Sequence, residues 1–425
     1  MGGDGGGWPK PQQPPARRPH RFTARSGESF AVEGKTAPLF GGPTIEVPNS
    51  TLPPGAPADL LELEELSESS MLRAIQTRFS AQLIYSSIGA PILVALNPQR
   101  ELGLYSAAEK ERYRTTEWAA LQTAPPHLYR IAEVAARSLQ LHRRSQTIVI
   151  TGESGSGKTE GTRLILEYFS RGGGGVAEKI MLAGPVLEAF GNAQTVCNEN
   201  SSRFGKFIEV ELGGEIRAAR IECYLLERSR VVTQSPLEAN YHIFYHLLWA
   251  GDGDFKVFQG LDVSAVRHSL ALDPAQRYTF VNQAQPRVEA RRKAEKGQLG
   301  VILRAMLSLG CSPAEVRMVM EIVAGVIHLG QIDPEESNGA AFLRDSAAWS
   351  NAARLLGLSV EDISKLLCTR SIRDPSTGLP LTSALSRPAA LLARDTLAKT
   401  VYAALFGWLL RRINLSLDST GSTAG

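Results

Sequence analysis

The sequence predicts an α/β fold: a mixed sheet that carries a phosphate-binding loop, with a large helical appendage. Three observations lead there. The stretch "TGESGSGKTE" (151–160) lies directly behind the β-branched run "TIVI" and ahead of the helical pattern "TRLILEYF", the strand–loop–helix order that an anion-binding glycine loop requires. In "KFIEVELGGEIRAARIEC", Ile208, Val210 and Leu212 alternate with Glu209 and Glu211 before Gly213-Gly214 interrupts and a second extended run begins, a β-hairpin signal. From about residue 236 to 420 the apolar spacing is mainly helical.

The elements follow in order. Residues 1–57, with "GGDGGGWPKPQQPPARRPHR", are too rich in Gly, Pro and Arg to bury the apolar surface that offsets chain entropy, so a disordered tail is expected ahead of a folded region spanning 58–425. "DLLELEELSESSMLRAIQTRF" reads as helix. "LIYSSIGAPILVALNP" reads as a strand closed by an Asn-Pro turn. "PHLYRIAEVAARSLQLH" is a helix leading into the strand before the glycine loop, and "RGGGG" (171–175) behind that loop's helix is a flexible connector. In the helical region Val316, Val319, Met320, Val323 and Ile327 mark one apolar face that Gly330 closes. The nucleotide pocket is expected within 90–235 and the helical subdomain within 236–417.

Each residue of the loop has a separate task. Gly152, Gly155 and Gly157, with Glu153, Ser154 and Ser156 between them, let successive backbone N–H groups turn inward around an anion, and the following helix adds the positive end of its dipole. Lys158 reaches the outer phosphates as a point charge, and the Thr159 hydroxyl serves a bridging Mg²⁺. A flexible glycine loop with a surface lysine would satisfy the same letters, but the strand before and the helix after favour a nucleoside triphosphate site.

Composition narrows the rest. The chain has 425 residues, 43% hydrophobic and 21% charged, with a net charge of +3. That is an ordinary globular balance, too weakly basic to argue for nucleic acid. Cys197, Cys223, Cys311 and Cys368 are scattered without metal-ligand spacing and are expected to be reduced thiols. "VYAALFGWLL" is about half a bilayer span and is closed by Arg411 and Arg412, so no membrane span is expected. "MGGDGG" lacks the hydroxyl residue that myristoylation needs, and no secretory segment follows it, which leaves the cytoplasm as the expected location.

The stretch "NAQTVCNENSSRFGKFIEVEL" (192–212), together with "GESGSGKTE", "NPQRELGLY" (97–105) and "YLLERSRVV" (224–232), resembles the head of a myosin. The text of "LIYSSIG", "NYHIFYHLL" and "RDTLAKTVYAALFGWLLRRIN", with Ser156 in the loop, is most similar to unconventional myosins of class XV. The resemblance runs from about Leu60 to Leu417. It implies a P-loop NTPase with large helical insertions, ATP and Mg²⁺ as ligands, actin filaments as partner and a cytoskeletal location. Asn198, Ser201, Ser202 and Arg203 match the first switch loop, in which Ser202 completes the metal shell opposite Thr159, while Ser201 and Arg203 serve catalysis. Asn97, Pro98 and Tyr105 match the purine-side segment. The segment "RSIRDPSTGLPL" (370–381) matches the upper actin-contacting loop.

Three departures from the family pattern stand out. Cys197 replaces a usual arginine, Gln99 replaces an aromatic, and no D-x-x-G-F-E motif, the second switch, occurs anywhere in the sequence. The resemblance therefore implies the N-terminal half of a motor, with Arg203 lacking its gate-closing acidic partner, that binds Mg-ATP without turning it over. The alternative is a non-hydrolysing nucleotide-binding or actin-interaction module derived from a myosin head.

Overall fold

A computed structural model describes residues 56–153, 155–170, 175–258, 263–281, 297–373 and 378–418. The expected tail up to residue 55, Ser154 and residues 171–174 of the glycine connector lie outside the described residues. The chain divides into two units, Met1–Leu83 and Ile84–Gly425.

In the first unit the helical pattern is broken in two by its caps. Asp59 accepts from Leu61 N at 3.0 Å and starts a short 3₁₀ turn, Leu60–Glu62. Ser67 and Ser70 then form a reciprocal capping box that opens α1 (Glu68–Ser80), satisfying two orphan N–H groups.

The second unit opens with β1 (Tyr85–Ile88) and β2 (Ile92–Ala95), an antiparallel hairpin. The single strand expected here is folded in two, because Gly89 adopts a left-handed φ of +64° ahead of Pro91. α2 (Ala107–Thr115), α3 (Trp118–Thr123), α4 (Leu128–His142) and α5 (Lys158–Phe169) follow. They close around a small core of Tyr113, Leu121, Tyr129, Ala132, Ile165 and Tyr168. The helices expected at 126–142 and behind the glycine loop are both present.

The mixed sheet is not. Among the described residues every strand belongs to a two-stranded antiparallel pair, and Thr147–Ile150 forms no strand. β-branched residues make a strand only where a neighbouring chain offers ladder partners. No described segment pairs with this run, and Val149 stays 81% exposed.

α6 (Gly175–Gly191) leads into β3 (Asn192–Ala193), β4 (Ser201–Ser202), β5 (Gly205–Leu212) and β6 (Ile216–Tyr224). β5 and β6 form the predicted hairpin, with a register shift at Glu211/Leu212. The free edge of β6 is pinned by Asn414, whose side-chain oxygen accepts from Ile221 N and whose amide donates to Ile221 O, both at 2.8 Å.

Beyond α7 (His242–Leu248) the chain is mainly helical, as read: Gln298–Ser308, Pro313–Leu329, Ala347–Leu356, Val360–Cys368 and Arg387–Leu417. Two hairpins that the periodicity did not reveal interrupt it: β7 (Glu335–Ser337) with β8 (Ala340–Phe342), and β9 (Thr369–Arg373) with β10 (Pro380–Ala384). Val316, Val319, Met320, Val323 and Ile327 are all buried, and Gly330 caps their helix. The 31-residue helix Arg387–Leu417 supplies the axis of the main core. Ala390, Arg394, Ala398, Tyr402, Leu405, Phe406, Leu409, Ile413 and Leu417 fall on one stripe of it, spaced at three or four residues as helix geometry demands. Among the described residues no helix is long and apolar enough to cross a membrane. All four cysteines are free.

Candidate functional site

The glycine loop turns on two positions that exclude a side chain. Gly157 has φ +94° and caps α5 in the left-handed region. At Gly152, φ is +152° and a Cβ would fall 2.5 Å from Ser156 Oγ, so the loop closes on itself there. Gly155, φ +82°, lies at its tip. Lys158 Nζ donates to the carbonyls of Gly152 and Glu153, both at 2.7 Å, and Ser156 N donates to Glu153 O at 3.2 Å. The loop is thereby wrapped around its own lysine.

No side chain caps α5. Its first N–H groups have no partner within the helix and carry the positive end of the dipole, which is the condition for holding an anion. Thr159 is exposed on that first turn, and among the described residues its hydroxyl makes no hydrogen bond. The donor set fits a phosphate group and a hard cation: backbone N–H, one ammonium and a free hydroxyl.

Asn97 joins this cluster from 58 residues away, its amide donating to Gly155 O at 2.8 Å. Its side-chain oxygen accepts from Gln99 N at 2.9 Å, a local turn that holds Pro98 between them. Tyr105 faces a different neighbourhood. Its hydroxyl shares a 2.6 Å hydrogen bond with that of Tyr85, and its ring packs edge-on against Tyr129. Core packing is therefore the contact this tyrosine makes.

Beside Tyr105 stands a histidine that sequence patterns did not single out. His127 caps α4 through its ring, Nδ1 accepting from Tyr129 N at 3.0 Å, with Nε2 3.2 Å from Leu104 O. That pairing requires the neutral tautomer protonated at Nε2. Burial pushes its pKa down to about 4 against the smaller opposing pull of the Leu104 carbonyl.

The segment 198–203 forms a second cluster. Asn198 closes a turn on Thr195, its N–H 3.2 Å from Thr195 Oγ1, and its oxygen accepts from Asn200 N at 3.0 Å. β4 then pairs Ser201 with Ala193 and Ser202 with Asn192. Ser201 is buried and Ser202 exposed, as alternation along a strand requires. Cys197 is exposed.

Arg203 has an acidic partner other than the second-switch residue that the resemblance implies. Its Nε donates to Glu227 Oε2 at 2.6 Å, a residue that no spacing rule connects to it. A cavity of about 1300 Å³ opens elsewhere, between α4, the β5–β6 hairpin and the end of helix Arg387–Leu417. None of the candidate residues lines it, so shape alone does not mark the site.

Comparison with known proteins places the chain in a family. Residues 57–424 match the myosin head (motor domain) family, whose fold is related to that of the P-loop NTPases. Mouse unconventional myosin-Ic is 37% identical over 373 residues, covering 85% of this chain and 33% of that protein. Human unconventional myosin-XV is 38% identical over 371 residues, covering 84% of this chain and 10% of that one. Myosin-8 of Arabidopsis thaliana is 37% identical over 419 residues, 92% of this chain and 26% of that one. The chain belongs to the myosin motor-domain family, and it spans a third or less of the length of these three relatives.

Proposed function

We propose that this chain carries the Mg-ATP site and part of the filament-binding surface of an actin-based, ATP-dependent motor. The observation that carries the reading is the glycine loop closed on Lys158 at the uncapped start of α5, with Asn97 tied to its tip. In this reading Gly152–Thr159 grip the triphosphate. Asn97, Pro98 and Asn198 line the nucleotide, while Tyr105 is held by Tyr85 and Tyr129. Thr159 and Ser202 would hold Mg²⁺, and Ser201 and Arg203 face the departing phosphate.

Chemistry of this kind is positioning plus charge neutralisation, with no covalent intermediate. When bound, Mg²⁺ supplies part of that neutralisation. The chain's own share is the α5 N-terminus, the Lys158 ammonium and the Arg203 guanidinium, each fixed before substrate arrives.

The filament surface is assigned to 370–381, whose residues 374–377 lie outside the described set. Its flanks in β9 and β10 are exposed apart from half-buried Thr369, with Ile372 49% and Leu381 60% accessible among arginines 370 and 373. Exposed apolar side chains ringed by charge are what a protein-binding surface needs.

A second reading, a module that binds nucleotide or actin without turnover, draws support from Arg203. Its guanidinium is engaged by Glu227. Co-sedimentation with actin filaments, alongside phosphate-release assays of the same preparation, tests both. Filament binding with ATP-dependent release and turnover supports the motor, and binding without turnover supports the module. Neither binding nor turnover contradicts both.

A further inference from the structure

The contacts around Glu227 are more elaborate than one surface ion pair needs. Its Oε2 accepts from Arg203 Nε at 2.6 Å and from Arg230 Nε at 2.8 Å. Arg230 is 4% exposed and also donates to Glu238 Oε2 and to the Ala239 carbonyl, at 2.8 and 2.9 Å. The four side chains form two positive and two negative groups around one buried guanidinium, a neutral network in which each charge has a partner. Removing one member of such a network leaves another charge uncompensated.

The backbone repeats the link. Glu227 N donates to Arg203 O at 3.0 Å, Arg203 N donates to Gly191 O at 2.9 Å, and Tyr241 Oη donates to Glu227 O at 2.8 Å. To bring Glu227 there, the chain leaves β6 through Leu225 at φ +58°, with that side chain 93% exposed. A non-glycine residue in the left-handed region costs about 1 kcal/mol or more, and an exposed leucine regains none of it by burial. The turn serves the position of Glu227.

We propose that Glu227 is a positioning residue of the nucleotide site: it anchors the Arg203 guanidinium, and through it the Ser201–Ser202 pair, on the buried Arg230–Glu238 pair. The proposal rests on the reading of residues 198–203 as a nucleotide-facing loop. Arg203 spends its Nε on Glu227 and its Nη1 on Ser201 Oγ at 3.4 Å. Among the described residues its Nη2 makes no hydrogen bond, so the N–H groups of that nitrogen stay available for an anion while Nε is fixed. Burial opposes a charged Glu227, but the hydrogen bonds from Arg230 and Arg203 outweigh it and hold the carboxyl below its usual range. The anchor is therefore ionised at neutral pH.

Two measurements on the 425-residue chain test this. The first is amide hydrogen exchange of peptides covering 198–205 without nucleotide, in the parent and in Glu227→Gln, whose isosteric amide cannot neutralise Arg203. Exchange at least roughly tenfold faster in the variant, with α5 and the β5–β6 hairpin unchanged, is expected for loss of one charge-assisted anchor. Unchanged exchange at 198–205, or faster exchange everywhere, overturns the anchor. The second is Mg-ATP titration of Glu227→Gln, Arg203→Gln and the double variant. A roughly tenfold loss for Glu227→Gln that vanishes in the Arg203→Gln background is expected. Additive losses overturn the proposal. A parent that binds no Mg-ATP defeats the nucleotide reading of the loop and leaves the exchange result to decide the anchor by itself.

Discussion

Asn97 reaches across 58 residues of sequence to donate its side-chain amide to the Gly155 carbonyl at 2.8 Å. The contact fixes the tip of the glycine loop from outside, while Lys158 fixes it from within. Asn97→Ala is expected to weaken Mg-ATP binding about fivefold, the worth of one neutral hydrogen bond. The thermal midpoint should barely move, because Asn97 is exposed. Calorimetric titration beside a melting curve checks both, and a large drop in midpoint without loss of affinity would assign the contact to folding alone.

Thr159 and Ser202 offer exposed hydroxyls with no hydrogen bond among the described residues. Thr159→Ala and Ser202→Ala should each weaken ATP binding more in Mg²⁺ than in EDTA, since both hydroxyls are assigned to the metal. Equal losses in the two buffers count against that assignment.

Cys197 is exposed at the start of the 198–203 segment. Placing a positive charge there with Cys197→Arg should raise affinity for the triphosphate and steepen its decline with added salt, because exposed charges are screened over about 10 Å at 0.1 M. A salt dependence identical to the parent's would show that position 197 points away from the ligand.

The pH dependence of stability follows from His127. Its folded pKa, about 4, lies below the ordinary histidine value of 6.5, so the unfolded chain binds the proton more readily between those limits. Stability is fully present above pH 6.5 and is lost as pH falls toward 4. By pH 5 the loss is about 2 kcal/mol. His328, also lowered by burial, acts in the same direction. Denaturant melts at pH 7 and pH 5 measure the difference, and His127→Gln, which can accept from Tyr129 N without titrating, should reduce it by about that amount.

What the sequence disclosed was the part of the structure set by neighbours along the chain. Amphipathic spacing located α4, α5 and the buried face of Pro313–Leu329, and alternation with Gly213-Gly214 located the β5–β6 hairpin. Interactions that depend on remote partners were hidden. The run Thr147–Ile150 has the composition of an inner strand, but a ladder needs a second chain segment, and none of the described ones supplies it. The β1–β2 hairpin was missed because Gly89-Ala90-Pro91 interrupts an apolar run too briefly to read as a turn between two strands. Glu227 stood inside the resembling stretch "YLLERSRVV" with no role assigned to it; its pairing with Arg203 depends on the reversal at Leu225, for which leucine gives no sequence signal.

Titration of the 425-residue chain with ATP in Mg²⁺ and in EDTA, run beside Lys158→Ala, tests the central claim most directly. Lys158 is the ammonium held inside the loop by the Gly152 and Glu153 carbonyls, and removing it takes away the cation assigned to the outer phosphates while leaving the glycines in place. The account predicts saturable, Mg²⁺-strengthened binding by the parent and none within the measured range by the variant. Equal affinity in parent and variant, or no binding by a folded parent, would contradict it.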